Sequence, residues 1–233
     1  MAHDPAFPAI RAVLTLLACM ISTARPFQTF LVTVGNVVGS GSYVNGMQFD
    51  RGADADYDAW GQLGNKGWNC KGLKPYFRRS NDFDAPSKNT IKTFGITYNA
   101  KAYGNGPIKV SIPDYQFPDM KTIYHSWDNV NIPHPQEGFA ETTPGPQYQT
   151  DEETIQDGIT SGSLQPTFAH PSGGCGMMPE ELGGCVSDEL LVYGVKELSV
   201  VDASIIPMIP ATHLQATMYA VAEKAADIIK KRA

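Results

Sequence analysis

The chain lacks most of the features that make a function easy to read. Gly35, Gly39 and Gly41 crowd one loop, yet no G-x-G-x-x-G dinucleotide fingerprint can be drawn through them. No Gly-Lys pair follows at the step a P-loop needs. Charge is sparse, at 18% of residues, and the net charge is -6 with a pI near 5.3. That balance argues against nucleic acid or an anionic membrane as partner. Cysteine is also sparse: Cys19, Cys70, Cys175 and Cys185 are too few for a disulfide framework in 233 residues. His170, Cys175 and Cys185 make a poor zinc set, because the cysteine spacing is wrong for a knuckle and no fourth ligand stands near. The spacing leaves open whether Cys175 and Cys185 are bridged. No Asn-x-Ser/Thr sequon occurs, and the apolar run from Ala12 to Ile21 is too short to span a bilayer.

What is present describes an ordinary globular protein, 42% hydrophobic, with enough Gly (22) and Pro (17) to predict a loop-rich fold. The length allows one large domain or two small ones. In residues 1–24, Arg11, the apolar run and Ser22-Thr23-Ala24 read either as a cleaved signal or as a leader foreign to the fold. A secreted and a cytoplasmic location therefore both stay open.

Further on, Tyr57, Trp60 and Leu63 have helical spacing, and Leu73, Tyr76 and Phe77 form a second stripe. Gly64-Asn65 and Gly67 separate the two, which predicts two short helices with packed aromatics. Residues 90–150 alternate extended runs, such as Ile108 to Ile112, with Pro and Gly turns. His125 and His134 lie there as surface or structural histidines. Thr150-Asp151-Glu152-Glu153 is a capping box and predicts a helix to about Ile159. The stretch from Leu198 to Asp202 reads as a buried strand ending on a carboxylate. From His213 to about Lys231 a long amphipathic helix is expected. Leu214, Met218, Val221, Ala222, Ala225, Ile228 and Ile229 lie on its inner face, and Glu223, Lys224, Lys230 and Lys231 lie outside.

Two histidines stand beside backbone devices suited to chemistry. His170 precedes Pro171 and the turn Ser172-Gly173-Gly174, and His213 stands ahead of the last helix. At these residues HPSGGCGMM, VYGVKELSVVDASIIP and HLQATMYAVAEKAADII occur in order. Together they resemble the C-terminal signature of the glucose-methanol-choline (GMC) flavin oxidoreductases. The segment from Gly39 to Gly46 is similar to that family's flavin-lining Gly-Gly-Ser/Thr-Ser-x-x-Asn-Gly. Here Ser40 replaces the usual Gly and Gly41 the usual hydroxyl.

The resemblance implies an α/β fold: a partial GMC-type FAD-binding domain without the N-terminal GxGxxG unit, plus a fragment of the substrate domain. Residues 25–89 would be the flavin-facing loop and lid, 90–149 the partial substrate domain, and 150–233 the catalytic and FAD-domain segment. It implies FAD as cofactor, with binding weakened or lost where no pyrophosphate site exists. Gly39, Ser42, Asn45, Gly46, Asp202, Ala203 and Gln215 would stand at the cofactor. His170 would be the catalytic base, and His213 would hydrogen-bond the substrate oxygen. The implied substrate is a small-molecule alcohol oxidised at its CH–OH group. DRGADADYDAW and IPATHLQATMYAVAEKAADII are most similar to fungal secondary-metabolite members. A non-redox cyclase, an inactive remnant, and an accessory or complementing subunit or homo-oligomer remain alternatives.

Overall fold

The computed structural model describes residues 18–20, 28–30, 35–129 and 170–232. The predicted helix after Thr150, His134 and most of the leader lie outside these. The chain divides into two compact units, Met1–Gln48 with Gln147–His170, and Phe49–Pro146 with Pro171–Ala233.

In the first unit, β1 (Ala18–Met20) pairs antiparallel with β2 (Gln28–Phe30), Cys19 opposite Thr29. The glycine-rich loop follows as an exposed 3-10 turn, Ser40–Ser42, entered through Gly39 at φ 94°. Only glycine holds such a φ without strain. The loop secures itself: Ser42 Oγ donates to Gly39 O (2.6 Å), Asn45 Nδ2 donates to Gly41 O (3.0 Å), and Met47 N–H donates to Asn45 Oδ1 (2.6 Å).

The second unit carries the core. α1 (Asp54–Gln62) and α2 (Cys70–Ser80) form where the aromatic stripes predict them. Asp56, at the third position of α1, reaches back to the N–H of Ala53 (2.9 Å), which is half of a capping box. Asn69 caps α2 by accepting from Gly72 N–H (2.9 Å). Gly72 has no substitute, because a Cβ there would stand 1.9 Å from Gly67 O. β3 (Asn81–Asp84), α3 (Lys88–Phe94) and β4 (Ile108–Ser111) make a β-α-β unit. Its strands are parallel, with Asn81 opposite Ile108, and Lys109 bonds Asp82 across them. α4 (Met120–Asn129) follows. The extended runs and turns expected over 90–150 therefore hold at β4, but a helix stands at 120–129.

Residues 170–213 are irregular. Isolated bridges Met177–Val186 and Val186–Val192 and a disulfide between Cys175 and Cys185 hold them in place. The segment 198–202 is not the buried strand expected. It has one bridge, Leu191–Ser199, and Leu198 is 48% exposed. Its β-branched residues give extended backbone, but a strand is buried only between neighbours, and among the described residues the pairing is one-sided.

α5 (Leu214–Arg232) packs on α2. Its buried face is Leu214, Ala216, Thr217, Ala220, Val221 and Ala225. Ala222 and Ile229, expected inside, are exposed. Lys224, expected outside, lies 4.7 Å over the ring of Trp68. Small residues bring the helix close to α2, and close approach rotates the buried stripe onto the alanines. The core joins these to Tyr57, Trp60, Trp68, Leu73 and Phe77, and to Met177, Val186, Leu190, Ile205 and Ile206.

Candidate functional site

Within the second unit, the clearest polar constellation surrounds the entry to α5. His213 immediately precedes the helix, and its Nδ1 lies 2.9 Å from Asp50 Oδ1 and 3.2 Å from Oδ2. Both side chains are partly exposed, 28% for His213 and 30% for Asp50, so solutes can reach the pair. The backbone before His213 is stitched to the same stretch. Asp56 Oδ2 accepts from Ala211 N–H (3.1 Å), and Trp60 Nε1 donates to Met208 O (2.8 Å). Behind it, the buried Tyr57 hydroxyl accepts from Gly52 N–H (3.0 Å) and bonds Thr217 Oγ1 (2.9 Å). Burial is the main cause that holds the Tyr57 phenol above its ordinary pKa, so it stays protonated.

Two buried hydroxyls that neighbour the histidines in sequence have no hydrogen-bond partner among the described residues: Ser172 Oγ, two residues after His170, and Thr212 Oγ1, next to His213. Such groups are costly unless something completes them. The backbone after Ser172 runs along the turn after Asp202. Gly173, Cys175 and Met177 donate N–H to Ala203, Ser204 and Ile205 carbonyls at 3.0, 2.9 and 2.8 Å.

The expected site residues fall out as follows. Gly39, Ser42, Asn45 and Gly46 lie in the first unit, in the exposed glycine loop, where Ser42 and Asn45 spend side-chain bonds on their own turn. A Cβ at Gly41 or Gly46 would meet nothing within 4 Å, so those faces are open to a ligand. His170, half-buried, is counted with the first unit. In the second unit the structure brings Asp202 and Ala203 alongside the 173–177 segment. The Asp202 carboxylate caps its own 3-10 turn, Ala203–Ile205, by accepting Ser204 N–H (2.8 Å). Gln215 is half-buried in the first turn of α5.

Sequence reasoning missed Asp50. No periodicity ties a carboxylate in a loop to a histidine 163 residues later. The only local signal was its place just ahead of the capped start of α1. Among the described residues no group of three His, Cys, Asp or Glu is arranged to hold a metal ion.

Comparisons with known proteins come from both sequence and structure. Two family models described as GMC oxidoreductase match the chain, one over residues 17–145 and one over 116–222. A dehydrogenase, xptC, of Emericella nidulans is 36% identical over 106 residues, covering 45% of this chain and 17% of that protein. The GMC oxidoreductase family protein Mala s 12 of Malassezia sympodialis is 35% identical over 142 residues, covering 53% of this chain and 22% of its own length. The chain thus spans about a fifth of these curated relatives. Among solved structures, a fungal aryl-alcohol oxidase superposes with a TM-score of 0.76 at 16% identity, covering 100% of this chain and 91% of that one; this likeness shows the fold. An FAD-dependent oxidoreductase from Chaetomium thermophilum superposes with a TM-score of 0.51 at 31% identity, covering 58% of this chain and 23% of that one. With a family model over more than half its length, and a mixed helix and strand fold that matches part of the FAD-binding and substrate domains, the chain belongs to the GMC oxidoreductase family.

Proposed function

We propose that this chain is the flavin-facing part of an FAD-dependent oxidoreductase that acts on the CH–OH group of a small-molecule alcohol. The carrying observation is the carboxylate-held histidine at the entry to α5. FAD is the cofactor that goes with the family, and the residues present fit its ring end. Within the second unit the Thr212 and Ser172 hydroxyls are buried and lack partners among the described residues. The family resemblance assigns Gly39, Ser42, Asn45, Gly46, Asp202, Ala203 and Gln215 to FAD. The first-turn N–H groups of α5 favour negative charge there. When bound, FAD supplies the hydride acceptor.

The chain's own part is to orient the alcohol and manage its proton. An imidazole suits this at neutral pH. His170 takes the hydroxyl proton, and His213 hydrogen-bonds the substrate oxygen. Residues 90–149 supply part of the substrate domain. The similarity of DRGADADYDAW to fungal secondary-metabolite members supports a place in secondary metabolism. The Cys175–Cys185 disulfide favours an oxidising, secreted setting. No helix among the described residues is long and apolar enough to cross a membrane.

The sequence has no GxGxxG unit to seat a pyrophosphate on a helix N-terminus. FAD binding by the chain alone is therefore weak, and a complementing polypeptide or a second copy would strengthen it. Absorption spectra of the purified chain with and without added FAD test the cofactor. Anaerobic bleaching of the flavin band by alcohols tests the reaction. Flavin that binds and is never reduced by any alcohol refutes the proposed activity. Tight FAD binding with a clear rise in melting temperature refutes the weak-site reading.

A further inference from the structure

We infer that Asp50 is a positioning residue for His213: it holds a proton on Nδ1, so that Nε2 is the nitrogen turned to the substrate oxygen, and it balances the charge of the ring when Nε2 also carries the proton that bonds that oxygen. The inference rests on the proposed role of His213, which it makes directional. A neutral imidazole carries one N–H and one lone pair, and the partner of one nitrogen decides which is which. A carboxylate is acceptor-only when ionised. With Asp50 Oδ1 at 2.9 Å and Oδ2 at 3.2 Å from Nδ1, the proton between them belongs to the ring. In the neutral ring the lone pair is then on Nε2. A histidine protonated only at Nε2 would set two acceptors against each other at Nδ1.

The geometry is held from three sides. Arg51, the residue after Asp50, donates to Ala102 O (3.1 Å) and stacks 4.8 Å over Phe77, which anchors the carboxylate's own backbone. Asp56 fixes Ala211 two residues before His213, and Trp60 fixes Met208. The ring is therefore aimed by its side-chain partner and by its backbone separately. This separates the two carboxylates: Asp56 holds the loop, whereas Asp50 holds the proton. It also lets Asp50 balance the charge whenever His213 becomes doubly protonated.

The test reads the tautomer directly and needs neither flavin nor alcohol. The full chain is labelled with 15N-histidine, and long-range proton–nitrogen correlation spectra are recorded at alkaline pH. The signal that disappears in His213→Gln identifies the residue. We expect the wild-type ring to show the Nδ1–H pattern. Asp50→Ala should convert it to a mixture in which Nε2–H is substantial, Asp50→Glu should recover part of the Nδ1–H pattern, and Asp56→Ala should leave it unchanged. A wild-type ring protonated at Nε2 overturns the inference, as does an unchanged pattern in Asp50→Ala. The wild-type spectrum alone can refute it, so a variant that fails to fold does not blunt the test. Failure here leaves flavin reduction by alcohols untouched, and failure of that assay leaves the tautomer untouched.

Discussion

Replacing Tyr57 by Phe isolates the energy of one buried hydroxyl. The ring is 1% exposed, and its edge-on contacts with Trp60 (5.5 Å) and Phe77 (5.4 Å) survive the change. What is lost is the bridge from Gly52 N–H to Thr217 Oγ1. Both ends are buried, Thr217 completely, so water does not replace the oxygen. An orphaned buried group costs about 1–3 kcal/mol. With two such groups, and with the Thr217 hydroxyl able to rotate, the expected loss is about 3 kcal/mol. For a chain of this size that is roughly 6–12 °C in Tm, at about 2–4 °C per kcal/mol. Urea unfolding followed by tryptophan fluorescence measures it. A cycle with Thr217→Val sharpens it, because the double variant leaves only Gly52 orphaned. Its cost should fall short of the sum of the single costs by about 1 kcal/mol or more. A Tyr57→Phe change within about 0.5 kcal/mol of wild type, the size of an ordinary surface substitution, refutes the bridge.

Three more outcomes follow from the cysteines. Replacing Cys175 and Cys185 by Ser opens a loop with a sequence separation of 10; the chain-entropy account puts the loss near 3 kcal/mol, read in the same urea assay. Cys70 Sγ donates to Asp54 Oδ1 at 3.0 Å. Burial first, then the Asp54 hydrogen bond and the charges of Asp54 and Asp58, push its thiol from 9.0 up to about 12. Site-resolved alkylation at pH 8, quantified by peptide mass spectrometry, should be much slower at Cys70 in the native chain than in urea. Between pH 9 and 12 the native state holds the proton that the unfolded state releases, so Cys70 lowers stability as pH rises through that window. A Cys70→Ser variant should lose this slope.

The parts of the fold that could be read beforehand are those where a short sequence window carries its own reason. Tyr57 and Trp60 one turn apart, and Leu73 with Phe77, declare inward faces before any partner is known, and α1 and α2 form on them. Asn65 was legible only as turn punctuation. It is in fact 2% exposed, and its amide ties Trp60 O (3.0 Å) to Met177 O (2.8 Å). A buried polar linker of that kind is set by two backbones that meet only after folding. The segment 198–202 shows the opposite error. Its residues prefer extended backbone, and they get it, but burial depends on neighbours that no local pattern reports. Lys224 was placed outside by its charge, yet a four-carbon stem can lie on Trp68 while the ammonium reaches Gly67 O.

The candidate site divides along the same line. His213 could be singled out because it stands at the start of a helix whose apolar stripe is visible in the sequence. Asp50 could not, since nothing near it in the chain specifies what lies across from it. Yet the two ends of the pair share a cause. The aromatic stripe that makes α1 a core helix also fixes Trp60, whose indole holds Met208, and the start of that helix fixes Asp56, whose carboxylate holds Ala211. Tyr57, on the same helix, ties Gly52 to Thr217 in the second turn of α5. These contacts carry the loop before His213 and the loop after Asp50 on one rigid element. Packing thus sets where the imidazole and the carboxylate stand, and once they stand there, acceptor chemistry sets which nitrogen keeps the proton.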